Sequence, residues 1–219
     1  MATLTAVTVL KTGGEYTAEH AWRLFRQIED TTPDVRLACL SDDPTAPYRI
    51  PLEHDWPGWW SKIELFRAGL FDGPVVFLDL DTDVVGDLRN LIRPDFTMLS
   101  DFYRPQQPAS GLMAWMGDAP NEVYCAFSKA PDANRAAYRS GRRWGDQGFI
   151  RDKLHQQPER FGSEAVSYKK HCRPAGQVPS GAVVVCYHGK PRPWDCDASW
   201  LYAVEQARRR IDIRESAQG

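Results

Sequence analysis

The feature that most constrains the fold is the continuous apolar run Pro74–Leu78 (PVVFL). An unbroken run of this kind predicts a strand that is buried on both faces, as in the middle of a parallel sheet. Nearer the N-terminus, runs rich in β-branched residues at Leu4–Leu10 and Asp34–Leu40 lie on either side of a glycine turn and a helical pattern. A strand, a helix and a second strand in this order predict an α/β sheet with helices on its faces.

The rest of the chain continues this alternation of strands and helices. Ser61 is expected to cap a helix that continues through Leu70. Further strands are predicted at Phe96–Leu99, Gly111–Trp115 and Ala182–Tyr187, and further helices at Asn121–Ser128, Asp146–Leu154 and Trp200–Ile213. A chain of 219 residues with these elements is expected to form one domain, 1–219, with a frayed tail at 210–219.

Charge and cysteine content exclude some classes of protein. A formal net charge of -2 argues against binding to nucleic acid or membranes by bulk electrostatics. No apolar run reaches the roughly 18 to 20 residues that cross a bilayer. The five cysteines include no CxxC pair, and their odd number leaves at least one thiol unpaired in a monomer. We therefore expect a cytoplasmic protein without a membrane anchor.

Two carboxylates follow the buried strand directly, in the sequence FLDLDTD. Asp79 and Asp81 are two residues apart, so on an extended chain both side chains point to one side. Open α/β sheets bind their ligands at the carboxyl ends of the strands, which is where this pair lies. Adjacent carboxylates repel each other without a counter-ion, so the pair predicts a hard divalent cation. The alternative is a solvated acidic turn, and Asp83 is expected to support the pair or to be exposed.

A histidine and two basic residues follow the last predicted strand, in the sequence CYHGKPRPWD. The imidazole of His188 would complete a mixed oxygen and nitrogen site, which suits Mn²⁺. Lys190 and Arg192 would then neutralise a diphosphate beside the metal. A single histidine in a loop is more often a surface residue, so this hypothesis depends on the carboxylate pair.

These motifs resemble glycosyltransferase family 8, from Val7 to Trp194. The family has the GT-A fold, a Rossmann-like, mixed and mostly parallel sheet flanked by helices. Its DxD motif holds Mn²⁺ against the donor diphosphate, and FLDLDTD is similar to it at Asp79 and Asp81. Its late His-x-x-Gly-x-x-Lys-Pro-Trp motif supplies another metal ligand and a phosphate-binding lysine, and HGKPRPW is a contracted form. The resemblance implies Mn²⁺ or Mg²⁺ bound by Asp79, Asp81 and His188, with the donor near Gly189 and either Lys190 or Arg192.

Two further blocks match the same family in the same order. ASGLMAWMGD is similar to its Asn-Ser-Gly strand, with Ser110 and Gly111 matching and Ala109 in place of the asparagine. WGDQGFI resembles its Asp-Gln-Asp block, with glycine in place of the second acid. The resemblance implies that Asp146 and Gln147 lie near the transferred sugar.

The remaining candidate residues have two interpretations each. Tyr16 would stack on uracil or pack at the start of a helix. Lys62 would bridge to the carboxylates or to the donor phosphate, and Asp101 would bind sugar hydroxyls. Trp59 and Trp60 belong to the core or form a sugar platform.

The resemblance implies a hexosyltransferase that moves a sugar from a nucleotide-diphosphate-sugar, with UDP-sugar favoured, to an acceptor hydroxyl with retention. Front-face attack, with Asp146 or Gln147 steadying the charge, is the preferred mechanism. The acceptor is a glycan, a protein, a small molecule or a modified DNA base. The basic segment Tyr168–Arg173 would bind an anionic acceptor or form a solvated loop.

Two alternatives remain open. A haloacid-dehalogenase-like phosphatase also places a DxD motif after a strand and would use Asp79 as its nucleophile. That motif normally opens the chain, and the HGKPRPW block would go unexplained. The second alternative is a non-catalytic module that binds nucleotide-sugars. Ala109 and the shortened histidine motif favour it.

Overall fold

A computed structural model describes residues 2–141 and 144–196. Its strands are β1 (Thr5–Leu10), β2 (Arg36–Ser41), β3 (Arg49–Pro51), β4 (Pro74–Leu78), β5 (Thr82–Val84), β6 (Thr97–Ser100), β7 (Pro108–Met116), β8 (Glu159–Arg160), β9 (Ala165–Ser167) and β10 (Val184–Cys186). Its α-helices are α1 (Ala18–Thr31), α2 (Glu122–Ser128), α3 (Pro131–Ala137), α4 (Gly145–Lys153) and the single turn α5 (Arg173–Ala175). Short 3₁₀ helices cover Gly58–Phe66, Leu88–Leu91 and Pro193–Asp195, and a π-helical turn covers Tyr168–Cys172.

The main sheet has seven strands in the order β3-β2-β1-β4-β7-β6-β8. Only β7 runs antiparallel to its neighbours β4 and β6, and the other pairings are parallel. The predicted mixed, mostly parallel sheet is therefore confirmed. A smaller sheet of order β5-β10-β9 follows the carboxyl end of β4, because β5 begins four residues after β4 ends.

Helices cover both faces of the main sheet. On one face α1 lies against strands β1 and β5, and its apolar side, Ala21, Leu24, Phe25 and Ile28, belongs to the same core cluster as residues of β1 and β4. On the other face the 3₁₀ helix Gly58–Phe66 packs with α2 and α4. As predicted, β4 is buried along its whole length, because it lies between these two layers.

The helix predicted to start at Ser61 and to continue through Leu70 is wrong in type and in bounds. The chain forms a 3₁₀ helix, Gly58–Phe66, and the hydroxyl of Ser61 donates to the carbonyl of Gly58 at 2.8 Å inside it. Every residue from Trp60 to Phe66 is buried. The segment is enclosed by the sheet and two helices, so the one-sided apolar pattern that usually defines a surface helix does not apply.

The other predicted elements within the described residues are confirmed to within two residues at each end, except that β7 begins three residues before the predicted Gly111. No helix in the described part of the chain is long and apolar enough to cross a membrane. The predicted helix Trp200–Ile213 and the tail at 210–219 lie outside the described residues.

Candidate functional site

A cavity of about 540 Å³ lies where the carboxyl ends of β1 and β4 meet the small sheet. We call it the donor cavity, after the predicted donor-binding residues that line it. Eleven of the thirteen predicted site residues line it: Tyr16, Lys62, Asp79, Asp81, Ser110, Gly111, Asp146, Gln147, His188, Gly189 and Arg192. They come from six separate segments of the chain, and the topology of the sheets brings them together.

A buried lysine links two of the predicted carboxylates at the base of this cavity. Lys62 Nζ lies 2.9 Å from Asp79 Oδ1 and 3.3 Å from Asp146 Oδ2. Asp146 also accepts a hydrogen bond of 2.6 Å from the hydroxyl of Ser110. Burial lowers the pKa of Lys62, but the charges of Asp146 and Asp79 outweigh burial and raise it. Lys62 therefore stays charged and fixes both carboxylates.

Asp79 carries a charge that its surroundings only partly compensate. Burial and the charges of Asp81 and Asp146 raise its pKa to about 6, although Lys62 acts in the opposite direction. Gly111 lies against it, because a Cβ at this position would stand 3.2 Å from Asp79 Oδ2. A side chain at position 111 would crowd the carboxylate, which explains why glycine suits the strand here.

An arginine forms an ion pair with Asp81, the second carboxylate of the predicted pair. The guanidinium of Arg192 pairs with Asp81 and with Glu15, and its centre lies 5.3 Å from the centroid of the Tyr16 ring. These contacts join the loop after β10 to the turn before α1. Burial lowers the pKa of Arg192, but the charge of Asp81 and further interactions raise it. Arg192 thus supplies a fixed positive charge at the mouth of the cavity.

His188 stands at the start of the same loop, in a left-handed backbone conformation with φ 29°. Its Nε2 lies 2.6 Å from Ser167 Oγ, and its carbonyl accepts a hydrogen bond of 3.0 Å from Lys169. Burial and the charge of Lys169 lower the pKa of the imidazole. A neutral imidazole is the form that binds metals.

The chemistry of these residues fits a divalent cation. Two carboxylates and a histidine whose imidazole pKa is lowered line one cavity, and burial together with the charge of Asp81 raises the pKa of Asp79. Within residues 2–141 and 144–196, no three His, Cys, Asp or Glu side chains converge into a ready coordination shell. Lys62, Arg192 and Ser167 hold the three candidate ligands apart.

Two predicted donor residues lie outside the donor cavity. Asp101 lines an adjoining cavity, and its carboxylate accepts hydrogen bonds from the backbone N–H groups of Tyr103 and Arg104 in its own turn. The side chain of Lys190 is 69% exposed and lies within 3.6 Å of Glu15 and 3.4 Å of Asp195. Of the two basic residues of the loop, Arg192 is the one that lines the donor cavity.

The aromatic residues divide between core and cavity. Trp60 is buried and stacks on Phe127, with ring centroids 5.0 Å apart. Trp59 is half exposed and lines the donor cavity, where its ring lies 6.2 Å from that of Trp144. Tyr16 packs edge-on against Trp194, so its packing role is realised in the structure.

Sequence reasoning missed Trp144 and Glu15, which both line the donor cavity. Trp144 precedes the predicted Asp-Gln block, and its 54% exposure gives an aromatic side chain free area at the cavity wall. The Trp-Gly pair at 144 and 145 is the sequence signal for a turn presenting this ring, and Gly145 has a positive φ of 64° in the structure.

Comparison with solved structures identifies the fold. The apo form of the glycosyltransferase GlyE from Streptococcus pneumoniae TIGR4 superposes with a TM-score of 0.64 at 10% identity, over 97% of this chain and 64% of that one. The galactosyltransferase LgtC, in complex with donor and acceptor sugar analogs, superposes with a TM-score of 0.62 at 12% identity, over 93% of this chain and 95% of that one. This chain thus spans less than two thirds of the length of GlyE.

The chain has the GT-A fold of these glycosyltransferases, as the sequence predicted. No protein-family model and no curated protein matches the sequence.

Proposed function

We propose that this protein is a metal-dependent glycosyltransferase that transfers a sugar from a nucleotide-diphosphate-sugar, with UDP-sugar as the expected donor, to an acceptor hydroxyl. The observation that carries the proposal is the donor cavity itself. It gathers two carboxylates, a histidine, an arginine and an Asp-Gln pair at the carboxyl edge of the sheet. The GT-A fold of the solved neighbours supports the same class of reaction.

Asp79, Asp81 and His188 would hold Mn²⁺ or Mg²⁺. When bound, the cation would supply positive charge to the departing diphosphate. Arg192 adds a second positive charge on the same side, beside Gly189, whose φ of 94° lets the backbone turn there. Because Arg192 pairs with Asp81 in this structure, the donor diphosphate would compete with Asp81 for its guanidinium.

The opposite side of the cavity would hold the transferred sugar. Lys62 and Ser110 fix the carboxylate of Asp146, whereas the amide of Gln147 makes no hydrogen bond within the described residues. Gln147 therefore has an amide free to face the reacting carbon. Transfer would proceed with retention by front-face attack: the acceptor oxygen bonds to the anomeric carbon on the face from which the diphosphate departs, as the bond between that carbon and the diphosphate oxygen breaks. The diphosphate leaves with the electron pair and takes the hydroxyl proton.

Neither alternative gains support from the geometry. Asp79 follows the fourth strand of a GT-A sheet, and its carboxylate is tied to Lys62 at 2.9 Å. The contacts among Lys62, Asp146 and Ser110 are intact, so the structure shows no collapse of the site that would favour a non-catalytic module.

Turnover is the direct test of this proposal. Release of UDP from UDP-glucose, UDP-galactose and UDP-N-acetylglucosamine should require Mn²⁺ or Mg²⁺ and should stop in Asp81→Ala. Phosphate release from p-nitrophenyl phosphate with Mg²⁺ should not occur. Turnover of the phosphomonoester without turnover of any nucleotide-sugar would replace the transferase by the phosphatase alternative.

A further inference from the structure

A second cavity, of about 870 Å³, adjoins the donor cavity. Trp144 and Gln147 line both cavities, so molecules bound in the two would meet beside the amide of Gln147. A transferase must bring an acceptor hydroxyl into contact with the donor sugar. If the proposed function holds, the second cavity is therefore where the acceptor binds.

The wall of the second cavity carries positive charge. The guanidinium of Arg104 is exposed and makes no hydrogen bond or ion pair within the described residues. Arg151 lies on the same wall and is held in place by Gln107, at 2.7 Å, and by its neighbour Asp152. Just outside this wall, Lys170 Nζ lies 4.4 Å from the centroid of the Tyr103 ring.

Asp152 neutralises Arg151 by an ion pair of 2.6 Å, so the net positive charge of this wall comes from Arg104. Among the described residues that line the second cavity, Asp101 is the one acid. Its Oδ1 accepts hydrogen bonds of 2.7 and 2.9 Å from the backbone N–H groups of Tyr103 and Arg104. The carboxylate is thus engaged by its own turn, and the guanidinium of Arg104 remains free for an anion.

Two exposed aromatic rings complete the wall. Trp144 is 54% exposed and Tyr103 is 60% exposed. Rings of this kind offer an apolar face with a polar edge, which matches the apolar face and the hydroxyl rim of a sugar ring. A concave site with a few charged groups and aromatic platforms is suited to a small polar ligand.

We propose that the second cavity binds a saccharide acceptor that carries a negatively charged group, either a carboxylate or a phosphate. Trp144 packs against the sugar ring and places a hydroxyl beside Gln147. Arg104, with Lys170 beyond Tyr103, binds the anionic group. The basic segment Tyr168–Arg173 thereby contributes to acceptor binding through Lys170.

The test measures binding of three probes that share a hexose ring: glucose 6-phosphate, glucuronic acid and glucose. Saturation-transfer NMR titrations with UDP and Mn²⁺ present give their dissociation constants. At least one anionic probe should bind about tenfold more tightly than glucose, because a charged hydrogen bond adds that much affinity. The probe that shows the preference identifies the phosphate or the carboxylate. Inorganic phosphate should bind more weakly than glucose 6-phosphate, because it has no ring for Trp144.

Variants of the residues that line the second cavity show which of them causes the preference for the anionic probe. Arg104→Gln should remove the preference for the anionic probe and leave glucose binding unchanged, and Trp144→Ala should weaken all three sugars. Arg26→Gln and Trp22→Ala make the same changes at exposed positions of α1, outside both cavities, and should bind as the wild type does. Equal affinity for all three sugars, or a preference that survives in Arg104→Gln, would overturn the proposal.

A UDP titration of the same wild-type sample separates the two proposals. If UDP binds with Mn²⁺ while the anion preference is absent, the acceptor inference fails and the proposed function stands. If UDP does not bind while the preference is present and depends on Arg104, the site stands as an anionic-saccharide site and the proposed function fails.

Discussion

At the scale of single residues, Lys62 organises the base of the donor cavity. Its ammonium is the cation that contacts both Asp79 and Asp146, and its side chain is only 8% exposed. Removing one partner of a buried ion pair leaves the other charge uncompensated, which costs more than the pair itself contributes. The stability of this region therefore depends on a group that also holds two predicted site residues in place.

Lys62→Met should lower the free energy of unfolding by about 2 kcal/mol, somewhat less than for a fully buried pair because Asp79 keeps partial exposure. Urea denaturation of the metal-free protein measures the change. The double variant Lys62→Met/Asp79→Asn should recover part of the loss, since one unpaired carboxylate is then removed. A single variant as stable as the wild type would contradict this role of Lys62.

Substitution of Asp79 should have the opposite effect on the stability of the protein from substitution of Lys62. Its pKa in the folded protein is raised to about 6 by burial and by Asp81, with Lys62 opposing, so the folded state binds this proton more tightly than the unfolded state does. Between about pH 4 and 6, ionisation of Asp79 therefore reduces stability as the pH rises. Relative to the wild type, metal-free Asp79→Asn should become more stable across this window and reach a plateau above it. A difference that is constant from pH 4 to 7 would show that the pKa is not raised.

The sequence was informative where function is local in the chain. Asp79 and Asp81 follow one strand, and the strand alone predicts where they lie. The pairing of Arg192 with Glu15 joins residues 177 positions apart, so no local pattern reveals it. Which of Lys190 and Arg192 lines the donor cavity likewise depends on how the loop packs. Both residues are basic, so the sequence does not distinguish them.

At the scale of elements, the loop from His188 to Asp195 forms one side of the donor cavity. It connects to the N-terminal turn through Arg192 and Glu15 and through the packing of Trp194 on His20, with ring centroids 4.0 Å apart. Besides that ring contact, Arg192 and Lys190 of this loop form ion pairs with Glu15, unlike the apolar contacts of α1 with the main sheet. A charged ligand is therefore able to replace some of these ion pairs.

The two basic residues of this loop should differ in their effect on the donor. Arg192→Met should weaken UDP binding about tenfold, because it removes a charged hydrogen-bond donor from the cavity. Lys190→Met should change the affinity less than about twofold, because its charge is exposed and solvated. Isothermal titration of both variants in Mn²⁺ measures the two effects. A larger loss in Lys190→Met would assign the phosphate role to the lysine instead.

The end of the β5–β10 pair in the small sheet depends on a glycine. A Cβ at Gly86 would stand 2.9 Å from the Cα of Val183, and its N–H donates to the carbonyl of Val183 at 3.0 Å. Gly86→Ala should therefore lower the free energy of unfolding by about 2 kcal/mol, since backbone must move to admit the methyl group. Gly14→Ala, where a Cβ meets nothing within 4 Å, is the matched control and should be near neutral. Equal stability of the two variants in urea would contradict the close approach.

The hydrophobic pattern predicted most elements because their buried residues follow the spacing of a helix or a strand. Strand β4 is buried on both faces and reads as an unbroken apolar run, and α1 has one buried side. The 3₁₀ helix Gly58–Phe66 was misjudged because every residue from Trp60 onward is buried, including the polar Ser61, Lys62 and Glu64, so burial does not follow the polarity of the sequence. The division of the strands into two sheets also could not be predicted, because β10 pairs with strands about 20 and 100 residues earlier.

At the scale of the whole molecule, two cavities meet along the carboxyl edge of a GT-A sheet. The donor cavity combines acids with fixed cations, whereas the wall of the second cavity is positively charged and aromatic. This asymmetry gives each cavity its own chemistry, and Trp144 and Gln147 form the boundary. The sequence predicted the first cavity through its motifs, but the second is formed by residues with no shared motif, so only the fold brings them together.

The central claim is that Asp79 and Asp81 bind a nucleoside diphosphate through a divalent cation. Isothermal titration of the protein with UDP, with Mn²⁺ or with EDTA, tests it in the wild type and in Asp79→Ala/Asp81→Ala. The control Asp72→Ala/Asp132→Ala removes two exposed acids away from the cavity. We predict one-to-one binding in Mn²⁺ for the wild type and the control, and at least about a hundredfold loss with EDTA or in the cavity variant. Equal UDP affinity with and without metal, or in both double variants, would contradict the account.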